Sequence, residues 1–461
     1  MTSSSRTSHR HTVSGSTGNS VTGTLLATSF GFIVVQLDVT IVNVALPEIG
    51  SSLRTGISGL QWVVDAYTLT FAALLLTAGA AGDRFGCRYI FNGGLLLFCL
   101  ASLTCALTPS VDILIAARSL QGAGAALILP TSLALLSHAC AGDSVARSHA
   151  IGWWSAIGGA VSAMGPVAGG LLITSFGWRS IFFVNLPVCL FSLWATNRYV
   201  TETQKTDSKS FDLPGQFLAI LLLFLVTYSV IESGGKGWLN TEVLTGLGMA
   251  LFVGLLFVVR ENHTAEPMIP LSIFRNSVLT IAVILGLLSN LTFYALIFIL
   301  SIFFQSVKGF TPTETGLALL PFTVIMIANV ASSRLAGYFS ARLTVAGGGI
   351  LCVLSFVVLH GLEHDTPYYI VMLSMFLLAI GSGISTPALT SAILSNVSSS
   401  RSATASAIFN VSRQVGSALG VALLGGMIIG DTGDMTAGAR LAFDISVILR
   451  MAGVVLAVLF L

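Results

Sequence analysis

Charged residues are scarce in this sequence. Only 9% of its 461 residues are Asp, Glu, Lys or Arg, whereas 54% are hydrophobic. Soluble domains carry about 25% charged residues, so this chain has too few to cover a water-facing surface. We therefore expect a lipid bilayer to be its solvent. The net charge of +2 gives no reason to expect a nucleic-acid partner.

Motifs for enzyme chemistry and for nucleotide binding are also missing. The six cysteines are scattered, and no pair has metal-ligand spacing or suggests a disulfide framework. No Gly-x-x-x-x-Gly-Lys-Ser/Thr run occurs, so ATP is not the expected energy source. One group of residues is of the types that ligate metals, namely His360, Glu363, His364 and Asp365. Because these residues are predicted to lie in a loop, we expect a solvated cluster rather than a metal site. We expect no metal, no cofactor and no enzymatic activity.

Long apolar stretches, in contrast, are abundant. A membrane-spanning helix needs about 20 mostly apolar residues, and backbone exposed to lipid must satisfy its own hydrogen bonds. The sequence therefore predicts an all-α membrane protein with fourteen transmembrane helices. The predicted helices cover residues 22–46, 60–80, 89–107, 112–136, 150–173, 181–199, 214–232, 242–260, 277–300, 314–332, 344–361, 367–389, 404–427 and 442–461.

The distribution of Lys and Arg predicts the orientation in the membrane. These residues concentrate in alternate loops, as at Arg84, Arg88 and Arg147, whereas the other loops hold few, such as Arg54 and Arg179. Loops rich in Lys and Arg stay in the cytoplasm, so both termini are predicted to be cytoplasmic. Residues 1–21 are rich in Ser and Thr and predict a disordered cytoplasmic tail, with a transit peptide as the alternative.

Polar breaks and a repeat predict the domain organisation. Phe85 and Arg88, after the second helix, recur as Phe339 and Arg342 after the tenth. Repeated halves around a site at the bilayer midplane are a common plan of transporters. We predict an N-terminal six-helix bundle at 22–199, a linker with two extra helices at 200–276 and a C-terminal six-helix bundle at 277–461.

Asp38 lies deep in the first apolar stretch. A carboxylate there costs about 2.5–3.5 kcal/mol on insertion scales, so such residues are rare and mark proton or ion pathways. Arg118 lies within the fourth stretch, and its guanidinium cannot lose its charge in a protein; it must be paired or hydrated, unless it snorkels to the surface. We predict that Asp38 carries the coupling proton and that Arg118 tunes its proton affinity.

For Asp65, near the outer end of the second helix, the sequence leaves two roles open. It is either a second proton or cation site or an interfacial residue bonded to nearby backbone. In either protonation site, desolvation raises the pKa of a carboxylate and a nearby cation lowers it. A movement that changes these surroundings would release the proton.

The loop after the second helix combines glycines with charges. Glycine permits a tight turn and close backbone approach, and the charges can pair with groups at neighbouring helix ends. We predict a gating loop that opens and closes between states, with an ordinary positively charged loop as the alternative. Its residues are Gly82, Asp83, Arg84, Gly86 and Arg88.

Small residues recur along the fifth helix. Gly158, Gly165 and Gly169 share one face and allow another helix to approach closely. Pro166 interrupts the backbone hydrogen bonds and is expected to bend the helix. The alternative is ordinary helix packing.

Three further groups bear on a substrate cavity. Phe293 and Tyr294 of the ninth helix line a cavity for an apolar substrate or else face lipid or the core. Arg413 is either a bonding group between helices or a substrate contact, and the sequence favours neither. Arg450 has no motif around it, and we expect it to snorkel towards the surface.

Four motifs resemble those of the fourteen-helix drug:proton antiporters, the DHA2 family of the major facilitator superfamily. Residues 37–47 hold every fixed position of its Leu-Asp-x-Thr-Ile-Val-Asn-Val-Ala-Leu-Pro motif. The loop at 82–88 is similar to the superfamily's Gly-x-x-x-Asp-Arg-x-Gly-Arg-Arg loop, from which Cys87 departs. Residues 118–122 resemble Arg-x-x-Gln-Gly, and residues 165–170 resemble the Gly-Pro-x-x-Gly-Gly antiporter signature. Within the family the pattern is most similar to antibiotic exporters of the methylenomycin A resistance type.

The resemblance implies a proton-coupled antiporter that exports hydrophobic drugs or antibiotics by alternating access. It implies two six-helix bundles around a central cavity in a bacterial cell membrane, driven by the proton gradient; we expect a monomer. In this family the Gly-Pro-x-x-Gly-Gly signature, which includes Gly170, is associated with export. Polar motif residues Asn43, Gln121 and Gln414 are further candidates for the cavity. Two alternatives remain, a carrier that exports or takes up a physiological metabolite and a membrane receptor or anchor.

Overall fold

The structure is a computed structural model that describes residues 17–205, 212–264, 267–398, 401–429 and 435–461. Most of the predicted N-terminal tail, with Arg6 and Arg10, lies outside these residues, as do residues 206–211 of the predicted linker. Residues 17–21 are helical rather than disordered, and Val21 packs on the cluster that contains Leu136 and Trp154. The described residues include no β-strand.

Fourteen helices in the described part are long and apolar enough to cross a membrane, as predicted. They are α1 Thr17–Leu53, α2 Ile57–Phe85, α3 Cys87–Leu107, α4 Val111–Ala139, α5 Ser144–Phe176, α6 Ser180–Phe183 with Asn185–Tyr199, α7 Leu213–Lys236, α8 Thr241–His263, α9 Ser277–Ile302 continued by a π-helical turn Phe303–Val307, α10 Pro312–Ala318 with Leu320–Thr323 and Val324–Tyr338, α11 Ala341–Leu359, α12 Tyr368–Asn396, α13 Ser402–Gly426 and α14 Met435–Phe460.

The helices begin and end at residues suited to those positions. Asp143 and Asn276 accept hydrogen bonds from the first free amides of α5 and α9. Glycines in left-handed conformations follow α2 and α5, at Gly86 (φ 102°) and Gly177 (φ 76°). These polar and glycine residues set the ends of the helices. Helices predicted from hydropathy alone are too short because hydropathy does not detect such residues.

The first helix is longer than predicted because it continues through Pro47 to Leu53. Proline forfeits one hydrogen bond of the helix ladder and disturbs the carbonyls one turn earlier. There, the Val44 carbonyl accepts a hydrogen bond from Gln305 Nε2 of α9 at 2.9 Å. A side chain from the other half of the chain therefore binds α1 in the turn that precedes the proline.

The packing follows the predicted repeat. In the first half α1 packs on α5 and α6, while α2 and α3 pack on α4. In the second half α9 packs on α13, the repeat equivalent of α1 on α5, and α11 packs on α12 and α14. The extra helices α7 and α8 pack on each other, and α7 also contacts α2 and α13.

In the described part of the chain, buried hydrophobic packing between the two halves is concentrated at one end of the molecule. We call the end where α1 begins the N-terminal face and the other end the opposite face. Near the opposite face, one buried hydrophobic cluster combines residues of both halves, from Ile41 to Phe182 and from Leu291 to Phe443. Near the N-terminal face each half has its own cluster, and only the partly buried Val411 reaches the cluster of the first half. The halves therefore enclose a space that widens towards the N-terminal face.

Candidate functional site

A buried ion pair lies within the first half. The Asp38 carboxylate of α1 contacts Nη1 of Arg118 from α4. Asp38 is 0% exposed and Arg118 is 2% exposed. The pairing excludes the alternative that Arg118 snorkels to the surface. Each charge satisfies the other inside an apolar bundle, where either one alone would be costly.

Neutral donors complete the surroundings of Asp38. Its second oxygen accepts from Asn185 Nδ2 of α6 at 3.2 Å and from Gln121 Nε2 of α4 at 3.3 Å. Gln121 also donates to Ser102 of α3 at 2.7 Å and accepts from Arg118 at 2.9 Å. Four helices therefore hold one carboxylate in a connected polar network.

The backbone and an aromatic ring position Arg118 from the other side. Its Nε donates to the Val63 carbonyl of α2 at 3.0 Å, and its guanidinium lies 4.5 Å from the centre of the Tyr67 ring. Gly122 makes this approach possible, because a Cβ at that position would overlap the Tyr67 carbonyl. The Arg-x-x-Gln-Gly run thus supplies the cation, its partner amide and the space for α2.

Asp65 is separate from this network. It is 0% exposed, and neither carboxylate oxygen has a hydrogen-bond partner. This contradicts the alternative of an interfacial residue bonded to nearby backbone. An ionised carboxylate without partners is very costly inside a protein, so this environment suits the protonated form.

A central cavity of about 240 Å³ lies between the two halves. Its wall includes Phe293, Tyr294 and Arg413, which is one of the alternatives that the sequence left open for them. Further towards the N-terminal face a more open space continues from it, and Arg413 lines both. The roles of these residues in binding remain predictions.

Three other candidates for the cavity lie elsewhere. Gln121 is fully buried in the network of Asp38, and Asn43 donates to the Val39 carbonyl of its own helix at 3.0 Å. Gln414, next to Arg413, is not among the residues that line the cavity. Helical periodicity places a residue on a face, but it does not tell whether that face meets the cavity or another helix of the same bundle.

The second half contains two arginines with neutral partners. Arg450 is 6% exposed, and it donates to Thr292 Oγ1 at 2.7 Å, to Ser289 Oγ at 3.1 Å and to the Ser289 carbonyl at 2.9 Å. The expectation that Arg450 snorkels is therefore wrong, because its side chain points into the bundle. Arg413 donates to Asn290 Oδ1 at 3.4 Å. This bond confirms the predicted link between helices, whereas a contact of Arg413 with substrate stays a prediction.

The glycine signature of α5 faces two different helices. A Cβ at Gly165 or Gly169 would overlap Thr40 or Ile41 of α1, and one at Gly158 would overlap the Phe32 ring. Gly170 instead meets the Pro312 carbonyl of α10, and the Pro166 carbonyl meets Gly316. The signature therefore joins α1 to α10 through α5, at the end where the two halves touch.

The predicted gating loop is anchored within its own half. Arg88 donates to the carbonyl and the side chain of Asn197 in α6 at 3.2 and 3.3 Å. Glu202 accepts from the backbone amides of Arg88 and Tyr89 at 2.9 and 3.0 Å. Gly82 is buried, whereas Asp83 and Arg84 are exposed. A contact that breaks and reforms between states stays a prediction.

Several residues of the site had no role in the sequence predictions. Asn185 and Ser102 complete the network of Asp38, and Ser289 contacts Arg450 while lining the cavity. Gln61 donates from α2 to the Val421 carbonyl of α13 at 2.6 Å. Each is a polar residue inside an apolar stretch, and that rarity is a signal that could have identified them.

Known proteins similar to this chain share its fold and most of its length. A model of the Major Facilitator Superfamily matches residues 28–421. A methylenomycin A resistance protein of Streptomyces coelicolor is 37% identical over 427 residues, which cover 91% of this chain and 88% of that protein. The multidrug resistance protein Stp of Mycobacterium tuberculosis is 36% identical over 406 residues, which cover 88% of this chain and 75% of that protein.

A solved structure with the same fold is that of a bacterial homologue of the human lysosomal transporter Spinster, in an inward-facing and unoccupied conformation. It has a TM-score of 0.68 and 15% sequence identity, and the match covers 95% of this chain and 96% of that one. At this identity the likeness concerns the fold alone.

Proposed function

The chain belongs to the Major Facilitator Superfamily, and from this premise we propose that it exports hydrophobic drugs or antibiotics from a bacterial cell in exchange for protons. The names of its relatives support drug export, since they include methylenomycin A and multidrug resistance proteins. The observation that carries proton coupling is the buried pair of Asp38 and Arg118, which has no exposure to the cavity in this state.

The proton site and the cavity share one helix. Gln36 and Thr40 of α1 line the cavity, while Asp38 between them faces away into the polar network. Protonation of Asp38 would remove its charge and so weaken its hold on Arg118 and on the neutral donors. A change in the position of α1 would then alter the wall of the cavity directly.

The signature of α5 extends this coupling to the second half. Thr40 meets Gly165, and the next turn of α5 meets α10 at Gly170 and Pro312. Because the glycines of α5 leave no free space at these contacts, a shift of α1 against α5 would be transmitted to the closed end between the halves. We infer that Asp38 is protonated from outside while that end is open, and that its protonation favours closure of that end and release of the proton on the other side.

The orientation completes the proposal. With both termini in the cytoplasm, the N-terminal face is cytoplasmic, and the conformation described is open to the cytoplasm and closed to the outside. Asp38 is then in its ionised, paired form after release of the proton inside. No cofactor is required in this scheme, and a monomer suffices because both bundles lie in one chain.

A transport assay tests the proposal. Purified protein in vesicles of defined orientation is given an imposed pH gradient and a labelled antibiotic, and uptake into inverted vesicles is measured. We expect Asp38→Asn to lose gradient-driven transport by at least about 100-fold while still exchanging substrate down its own gradient, because proton coupling depends on this carboxylate. Glu242→Gln is the matched control, since this carboxylate is exposed at the opposite face. Full gradient-driven transport by Asp38→Asn would refute the role of Asp38.

A further inference from the structure

Among the described residues, Arg413 alone brings a charge to the lining of the central cavity. Its lining consists of apolar and neutral polar side chains apart from Arg413, and the same holds for the open space that continues from it. Neither includes an aspartate or a glutamate. The paired charges of Asp38 and Arg118 do not reach this wall, so they do not balance Arg413.

Arg413 is held in place without being neutralised. It donates to the neutral Asn290 oxygen at 3.4 Å, and its stem packs over Gly286 of α9, where a Cβ would lie 3.3 Å from its Cγ. Among the ion pairs of the described residues, none includes Arg413. Its positive charge is therefore available to a molecule in the cavity.

A second positive charge lies directly behind the wall. Arg450 donates to the hydroxyls of Ser289 and Ser382 at 3.1 and 3.5 Å, and both serines line the cavity. Arg450 also has only neutral partners. In a medium of low dielectric constant the two charges act together on whatever occupies the cavity.

The rest of the wall suits an apolar body. Phe293 and Phe322 pack edge to face with ring centres 5.5 Å apart, and Met326 lies beside them in the lining. A guanidinium presents its donors in a planar fork that matches a carboxylate. The cavity thus offers a site for one oxyanion next to a surface for an aromatic or aliphatic group.

We propose that the transported substrate is an amphiphilic organic anion whose carboxylate binds Arg413 and whose apolar part packs on Phe293 and Phe322. The proposal rests on the proposed export function and specifies its substrate class. It excludes cationic drugs as the preferred substrates, because an ammonium group would face two uncompensated arginines.

The charge of the substrate decides the driving force. Exchange of one anion outward for one proton inward moves two positive charges inward in each cycle. A membrane potential of about 100 mV, negative inside, would then support a concentration ratio on the order of a thousandfold. Exchange of a monovalent cation for one proton moves no net charge and would not respond to the potential.

A matched set of probes tests the proposal at the level of binding. The probes are 2-naphthylacetate, 2-naphthylacetamide and 2-(2-naphthyl)ethylammonium, which carry similar apolar groups and differ in charge. Equilibrium binding to the full-length protein in lipid nanodiscs is measured at neutral pH. We expect the carboxylate to bind at least about tenfold more tightly than the other two, the size of one charge-assisted hydrogen bond. Equal binding, preference for the ammonium or binding of none of the three would overturn the proposal.

Two variants assign the preference to Arg413. Arg413→Gln should abolish the preference for the carboxylate and leave acetamide binding within about twofold, whereas Arg413→Lys should retain part of it. Asn329→Asp places a carboxylate in the same wall without a change of shape, and it should weaken binding of the carboxylate probe and favour the ammonium. Retained preference in Arg413→Gln, or no effect of Asn329→Asp, contradicts the assignment.

Transport of the same probes separates this inference from the proposed function. If a pH gradient drives none of the three, proton-coupled export is wrong, while the binding data still decide the substrate charge. If it drives the ammonium in preference to the carboxylate, export stands and the inference fails. Stimulation of carboxylate transport by a potential set with potassium and valinomycin is the expected result.

Discussion

The buried arginines of the two halves of the molecule differ in the charge of their partners. In the first half Arg118 is paired with Asp38, so the bundle contains a unit that is neutral as a whole and changes charge when it binds a proton. In the second half Arg413 and Arg450 have neutral partners, so this bundle keeps its positive charge in every protonation state. Under the two proposals above, the first half binds the proton and the second half binds the substrate.

Removal of Arg118 should have the largest effect on stability. Arg118→Met leaves the Asp38 carboxylate buried without its cation, and breaking such a pair costs about 3–5 kcal/mol. The thermal unfolding midpoint of the purified protein should fall steeply. Adding Asp38→Asn to Arg118→Met should recover at least half of the loss, because no charge is then left unpaired. If the double variant is as unstable as the single one, the pair is not what Arg118 stabilises.

A methyl group at Gly170 should have an intermediate effect and tests where the halves meet. Its Cβ would overlap the Pro312 carbonyl of α10, a clash that costs about 1–3 kcal/mol. Gly170→Ala should therefore destabilise the conformation closed at the opposite face and increase labelling of a cysteine introduced there. Gly152→Ala in the same helix is the control, because its Cβ would meet nothing within 4 Å. Equal labelling of the two variants would argue against close packing of α5 on α10.

Removal of Arg450 should have the smallest effect on stability, in contrast to Arg118. Arg450→Met leaves behind only hydroxyls and a carbonyl, and Thr292 Oγ1 already lies 3.1 Å from the Leu288 carbonyl of its own helix. We expect a change within about 1 kcal/mol, since exchange of a buried charge for an apolar residue is often neutral. A loss as large as that of Arg118→Met, measured by the same unfolding assay, would remove the distinction between the halves.

The parts of this arrangement that the sequence predicts are those with a large energetic cost. The fourteen apolar stretches stand out because their length and hydropathy suit a membrane-spanning helix. Asp38 and Arg118 stand out because a charge inside such a stretch is costly unless it is paired. The positions of Gln121 and Arg450 were predicted wrongly, since a helix has several faces and the sequence does not say which neighbour each one meets. The partners Asn185 and Ser102 come from helices far apart in the chain, and only the fold brings them to Asp38.

The placement of the extra helices has a consequence for access from the membrane. Two lateral seams separate the halves, one between α2 and α13 and one between α5 and α10. Since α7 contacts both α2 and α13, and Phe224 lies 5.6 Å from Trp62 of α2, it covers the first seam. Of these two seams, the one between α5 and α10 is therefore left for a molecule dissolved in the lipid to enter sideways, so that lateral access differs between the two sides of the transporter. Labelling of cysteines along each seam with a lipid-soluble maleimide would reveal this asymmetry, and equal labelling would disprove it.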